Sequence, residues 1–142
     1  MLINNFRPDV RDILGLGSDD LRAANDQLIY VAISGFGTDG PMRNAPAYDP
    51  VIQARSGMAS LQGAQSPTFV RTLMCDKITA YTASQAATAA LFQRERTGKG
   101  QHIDLSMLDA SLSFIYPDGY MNHTLLDSDV EIKPLLADLI YN

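Results

Sequence analysis

Three stretches of the chain carry a strong hydrophobic rhythm, and each predicts a different element. Leu28-Ile29-Tyr30-Val31-Ala32-Ile33-Ser34 is a continuous apolar run rich in β-favouring residues that stops at Gly35-Phe36-Gly37, which predicts a strand buried on both faces. Segment 76–97 has no internal Gly or Pro, carries Ala80, Ala83, Ala86, Ala87, Ala89 and Ala90, and stops at Gly98. It predicts one long helix able to approach a sheet closely. His102-Ile103-Asp104-Leu105-Ser106-Met107 alternates polar and apolar positions, the mark of a strand.

Shorter signals fill the gaps. Pro8 fits the first position of a short helix that Gly15 and Gly17 end, and Ser18 is placed to cap a second over 19–25. Segment 38–46 reads as loop, 48–56 as a helix ended by Gly57, 61–67 as loop and 69–74 as a short strand. A helix over 108–115 is expected to stop before Pro117. Strand, helix, strand, helix in this order predicts an α/β fold with a largely parallel sheet. The tail 122–142 has no partner element; Leu135, Leu136, Leu139 and Ile140 form the apolar face of a helix without the rest of its domain, which predicts an exposed apolar patch.

Composition narrows the class. At 142 residues, 46% hydrophobic and 19% charged, the chain has the profile of one globular domain rather than a disordered segment. A formal net charge of -5 argues against general nucleic-acid binding but leaves room for an anionic ligand held by a few arginines. Cys75 is the only cysteine, so no intrachain disulfide forms, which fits a reducing cytoplasm. The first residues lack the apolar core of a signal peptide, and no apolar run reaches the roughly 18 residues of a membrane helix. His102 and His123 lie far apart without Cys partners, which argues against zinc.

Candidate chemistry from the residues alone stays open. Asp76 at the start of the long helix reads either as a helix cap or as a carboxylate whose anion the helix N-terminus favours. Gly35-Phe36-Gly37-Thr38-Asp39-Gly40 lacks the Lys-Ser/Thr of a P-loop and the immediate helix of a dinucleotide fingerprint, and reads as a strand-end turn. Cys75 has no histidine near it in sequence and reads as a buried bystander thiol.

Several motifs, in order, resemble the class III CoA-transferases. They are Asn5-Phe6-Arg7-Pro8, Leu14-Gly15-Leu16-Gly17, Ile33-Ser34-Gly35-Phe36-Gly37, Gly40-Pro41, and Pro46-Ala47-Tyr48-Asp49 with Gln53 and Ser56-Gly57. Arg94-Glu95-Arg96-Thr97-Gly98-Lys99-Gly100-Gln101 and Asp104-Leu105-Ser106-Met107-Leu108-Asp109-Ala110 follow. The group includes formyl-CoA and carnitine CoA-transferases and the α-methylacyl-CoA racemases. The resemblance implies part of a Rossmann-like large domain with a parallel sheet and flanking helices, incomplete at both ends. Residues 1–121 would be the central part of that domain, and 122–142 a truncated lead-in to a small domain. Family members form interlocked homodimers.

The resemblance implies roles. Asp76 aligns with the catalytic aspartate, which attacks an acyl-CoA thioester and becomes an aspartyl-CoA thioester before CoA passes to an acceptor carboxylate. Asn5, Phe6, Arg7, Ala47 and Tyr48 align with segments that contact CoA. From the residues alone, Arg7 also reads as a solvated surface charge and Tyr48 as an aromatic packed on the core. Racemases carry a histidine where Tyr48 stands; an ordinary tyrosine pKa of ~10 lies about three units too high for near-neutral proton transfer, which favours transferase chemistry. Many members carry an arginine where Ile13 stands, and Arg11 is the nearest substitute. The functions in competition are acyl-CoA:carboxylate CoA transfer, racemisation, and an inactive truncated piece. No metal or redox cofactor is implied; the CoA thioester is a substrate.

Overall fold

The computed structural model describes residues 1–63 and 65–120. The elements are β1 (Leu2–Asn4), α1 (Pro8–Ile13), α2 (Ser18–Ala24), β2 (Tyr30–Ser34), α3 (Asp49–Arg55), α4 (Met58–Gln62), α5 (Met74–Thr97), β3 (His102–Ser106) and α6 (Met107–Ile115), followed by a π-helical turn, Tyr116–Tyr120. The three strands form one parallel sheet in the order β1-β2-β3. Tyr30 pairs with Leu2 on one side and His102 on the other, and the register runs on to Ser34 beside Ser106. The α/β architecture with a parallel sheet and flanking helices agrees with the sequence.

Helix α5 is continuous. Its buried positions, Cys75, Ile78, Thr79, Ala83, Ala87 and Ala90, recur at three- and four-residue intervals and form one stripe. At one end of the stripe Ala90 packs with Ile29 and Val31 under the sheet. At the other, Cys75 and Ile78 join Ile52, Met58, Ala110 and Ile115 in a core shared by α3, α4 and α6. Burial runs through the middle of the sheet too: Tyr30, Val31 and Ala32 of β2 are all buried, as a central strand covered on both faces requires. The helix ends at Gly98, whose φ of 71° is a left-handed cap conformation that a side chain would strain.

Several boundaries differ from the sequence reading. Helix α5 starts at Met74, not at 76, so Asp76 is the third helical residue rather than the cap. Segment 69–74 is not a strand, because its backbone groups bond to a side chain of α3 instead of a sheet neighbour. Leu61 and Gln62, read as loop, close the short helix α4. Ser18 is the first residue of α2 and its hydroxyl meets Asp19 Oδ1 at 3.4 Å instead of capping. Helix α6 ends at Ile115, before Pro117 as expected, but a π turn not expected from the sequence follows through Pro117 and is tied back by Tyr120, whose hydroxyl donates to the Ser56 carbonyl at 2.6 Å. Strand β1 was not foreseen, since three residues become a strand only where a neighbour pairs with them. The apolar positions of the tail, Leu135, Leu136, Leu139 and Ile140, lie outside the described residues.

Candidate active site

All three strands point their carboxyl ends at one cleft of about 690 Å³. Asn5 and Arg7 reach it from the turn after β1, Ser34 and Gly35 from the end of β2, and Met107 from the end of β3. That edge is where open parallel α/β sheets bind ligands. Ala47 and Tyr48 line it from the lead-in to α3, and Asp76 and Thr79 from the first turns of α5. Gly35 makes the arrangement possible: a Cβ there would stand 2.1 Å from the Ala47 Cβ, so only glycine lets the 45–48 segment close over the strand end.

Four of the five residues expected to contact CoA therefore line the same cleft as Asp76. Phe6 does not; it is exposed, 42%, and outside the lining. Tyr48 is 73% exposed, which removes the core-packing alternative. Arg7 donates to the Asn44 carbonyl at 3.3 Å and lies 3.7 Å from Asp9, so its guanidinium also ties the 38–46 loop to the turn after β1. Arg11, considered as a stand-in for the arginine absent at Ile13, is outside the lining and sits 3.9 Å from Asp104. Arg43 lines the cleft and was missed; the available signal was an arginine in a Gly/Pro-rich loop beside Pro46-Ala47-Tyr48.

Asp76 carries an exposed side chain on an anchored backbone. Its N–H donates to Asp49 Oδ2 at 3.0 Å, and Asp49 Oδ1 accepts from Gln53 Nε2 at 2.5 Å. Partial desolvation, and then the negative charge of Asp49, push the Asp76 carboxyl above the ordinary carboxylate range. Cys75 is fully buried; burial raises its thiol pKa, a hydrogen bond with Ser111 lowers it, and the Asp49 and Asp76 charges raise it further. A protonated, buried thiol is not a nucleophile. His102 is outside the lining: its Nε2 lies 3.2 Å from Asp104 Oδ1 and its ring meets Tyr30 edge-on at 5.0 Å. The Gly35-Phe36-Gly37 turn is closed by Gly37 N–H donating to Ser34 Oγ at 3.0 Å, a strand-end turn with no bound-phosphate role required to explain it.

A family model, CoA-transferase family III, matches residues 1–133. The chain belongs to this family. It is 43% identical over 118 residues to acetyl-CoA:oxalate CoA-transferase of Acetobacter aceti, an alignment that covers 81% of this chain and 30% of that protein. It is 35% identical over 127 residues to succinate–glutarate CoA-transferase of Agrobacterium fabrum, 88% of this chain and 32% of the relative. Among solved structures, a CaiB/BaiF family protein from Brucella suis superimposes with a TM-score of 0.76 at 36% identity, over 82% of this chain and 31% of that one. The Mycobacterium tuberculosis protein Rv3272 does so with a TM-score of 0.79 at 30% identity, over 89% and 36%. The chain thus spans about a third of the length of the family III proteins it matches. Among the described residues of this family III chain, no helix is long and apolar enough to cross a membrane, and no three His, Cys, Asp or Glu side chains cluster as metal ligands would.

Proposed function

We propose that the chain carries the nucleophile and part of the CoA site of an acyl-CoA:carboxylate CoA-transferase, with Asp76 as the nucleophile. The observation that carries this is the accessible Asp76 carboxylate, held on a fixed backbone in the same cleft as Asn5, Arg7, Ala47 and Tyr48. The Asp76 carboxylate attacks the thioester carbonyl, the C–S bond breaks, and CoA leaves as thiolate from a mixed anhydride. The thiolate then attacks the Asp76 carbonyl carbon, the acyl group departs as a carboxylate, and an aspartyl-CoA thioester remains. An acceptor carboxylate reverses the two steps and takes the CoA, returning Asp76 as it began.

A carboxyl with a raised pKa suits this role, since basicity and nucleophilicity rise together. Arg7 and Arg43 supply positive charge for the phosphates or carboxylates of the substrates. Asn5, Ala47 and Tyr48 contact the CoA thioester, and Phe6 reaches it from the turn beside the cleft. Among the described residues no histidine lines the cleft, which favours CoA transfer over racemisation. The working protein is a cytoplasmic enzyme, an interlocked homodimer in its full-length form, with 1–121 as the central part of its large domain and 122–142 leading to a small one.

The test is trapping with hydroxylamine during turnover, with acetyl-CoA as donor and oxalate as first acceptor, the pair named for the Acetobacter relative. Conversion of Asp76 to the hydroxamate, seen by mass spectrometry, is the expected result. Labelling of Asp49 instead, or of neither, would move the nucleophile elsewhere.

A further inference from the structure

Helix α5 has no cap of its own. Leu73 occupies the cap position and offers no side-chain acceptor; the Met74 N–H turns back to the Thr72 carbonyl at 2.8 Å, which leaves the Asp76 amide to find its acceptor elsewhere in the fold. Asp49 fills the gap from another helix. Its carboxylate is 3% exposed, with Oδ2 accepting the Asp76 N–H and Oδ1 accepting from Gln53. Gln53, 1% exposed, sits one turn further along α3 and works in both directions: its Oε1 accepts the Val70 N–H at 2.9 Å, while Nε2 donates to the carbonyls of Val70 at 3.2 Å and Thr72 at 3.4 Å. The directions are forced. Asp49 only accepts, so the Gln53 amide must turn its NH2 toward it, which leaves Oε1 for Val70.

We infer that Asp49 and Gln53 are positioning residues for the Asp76 carboxylate, a buried clamp from α3 that fastens segment 70–72 and the first turn of α5 and so sets where Asp76 stands in the cleft. The inference rests on the proposed role of Asp76 and adds to it the device that holds the nucleophile still. Holding matters because a displacement of about 1 Å at a reacting group costs up to about a hundredfold in rate. The clamp also places charge. Arg7, Arg43, Tyr48 and Asp49 surround the cleft, and Cys75 and Lys77 flank Asp76 on α5, with Lys77 Nζ turned to Thr72 Oγ1 at 2.6 Å. Of these, Asp49 is the one whose charge raises the Asp76 carboxyl.

The test uses the full chain, 13C-labelled at aspartate carboxyls and 15N-labelled at amides. In Asp49→Asn the fold keeps one acceptor but loses the charge, so the Asp76 titration midpoint is expected to fall. In Gln53→Ala the Asp49 charge stays, so the midpoint remains raised, while hydrogen exchange at the Val70 amide quickens by about tenfold or more. A general loss of stability produces neither the fall in one variant nor its absence in the other. An Asp76 midpoint unmoved by Asp49→Asn, or a Val70 amide as protected in Gln53→Ala as in the wild type, overturns the clamp; should Asp49→Asn fail to fold, the Val70 measurement alone decides. In the CoA-transfer assay Gln53→Ala is expected to lower kcat about tenfold with KM for acetyl-CoA within a few-fold; a change in KM alone also overturns it. If the titration and exchange move as expected but no form of the protein transfers CoA, the clamp stands and the proposed function fails.

Discussion

The two ends of α5 are made in opposite ways. The C-terminal end is local: Gly98 adopts a left-handed conformation, its N–H returns to the Arg94 carbonyl at 2.8 Å, and the chain turns through Gly100 into β3. The cap itself is made within a few positions in sequence, and only the turn beyond it reaches across the fold, where the Gly100 N–H donates to the Asp26 carbonyl. The N-terminal end is tertiary: the Asp76 amide is satisfied by Asp49, 27 residues earlier, and segment 70–72 by Gln53. The locally built end carries structure, and the tertiary end carries the candidate nucleophile. A helix start held from a distance can set the position of a reactive group against a cleft, which a local cap cannot do, because a local cap moves with its own helix.

The comparison breaks most readily at the reactive end. Asp76→Asn is expected to cut CoA transfer by about a thousandfold or more with CoA affinity within a few-fold, since an amide forms neither anhydride nor thioester. Because Asp76 is the third helical residue and not the cap, its side chain is not needed to start the helix, and α5 should keep its helical signal in circular dichroism. A variant that loses activity only by unfolding would contradict this.

At the local end the expected losses are of stability. Gly100→Ala places a Cβ 2.1 Å from the Leu28 carbonyl oxygen, where the turn hydrogen-bonds to Asp26 at 2.8 Å. Overpacking of backbone on backbone is expected to cost about 2–3 kcal/mol in urea denaturation. Gly98→Ala meets open space but must hold φ 71°, so it is expected to cost less, about 1 kcal/mol. Equal losses for the two would show that conformation, not crowding, governs this turn.

The smallest effect is in pH. The folded-state pKa of Asp76 is raised above its ordinary 3.8, so between the two values the native chain binds more protons than the unfolded one. Stability from this group therefore falls as pH rises through that window and stays lower above it. Comparing urea midpoints of wild type and Asp76→Asn across acid to neutral pH should show the wild type losing ground as Asp76 ionises. A gap that widens in the other direction would mean the helix terminus stabilises the anion more than burial and Asp49 oppose it.

Much of this was legible. Strands β2 and β3, the long helix, its stop at Gly98 and the Pro8 start of α1 come from periodicity and from Gly and Pro, signals that act within a few residues. Asp76, Asn5, Arg7, Ala47 and Tyr48 were named through the family resemblance, and they meet in one cleft. The illegible parts share a cause. Leu2, Ile3 and Asn4 have too few residues to declare a strand before β2 pairs with them. Segment 69–74, β-like in composition, has its backbone bonds taken by Gln53. Arg43 differs from any surface arginine only in facing the cleft.

By itself, then, the sequence determined the kinds of element and their order, because helix propensity, alternation and chain-breaking residues are properties of neighbours. Its motifs also carried the family. The tertiary structure decided where α5 begins, which acceptor its amides find and which charge Asp76 feels. Those depend on a buried carboxylate and a buried amide brought to the helix from α3, and a hydrogen bond between residues 27 apart leaves no periodic trace in the chain.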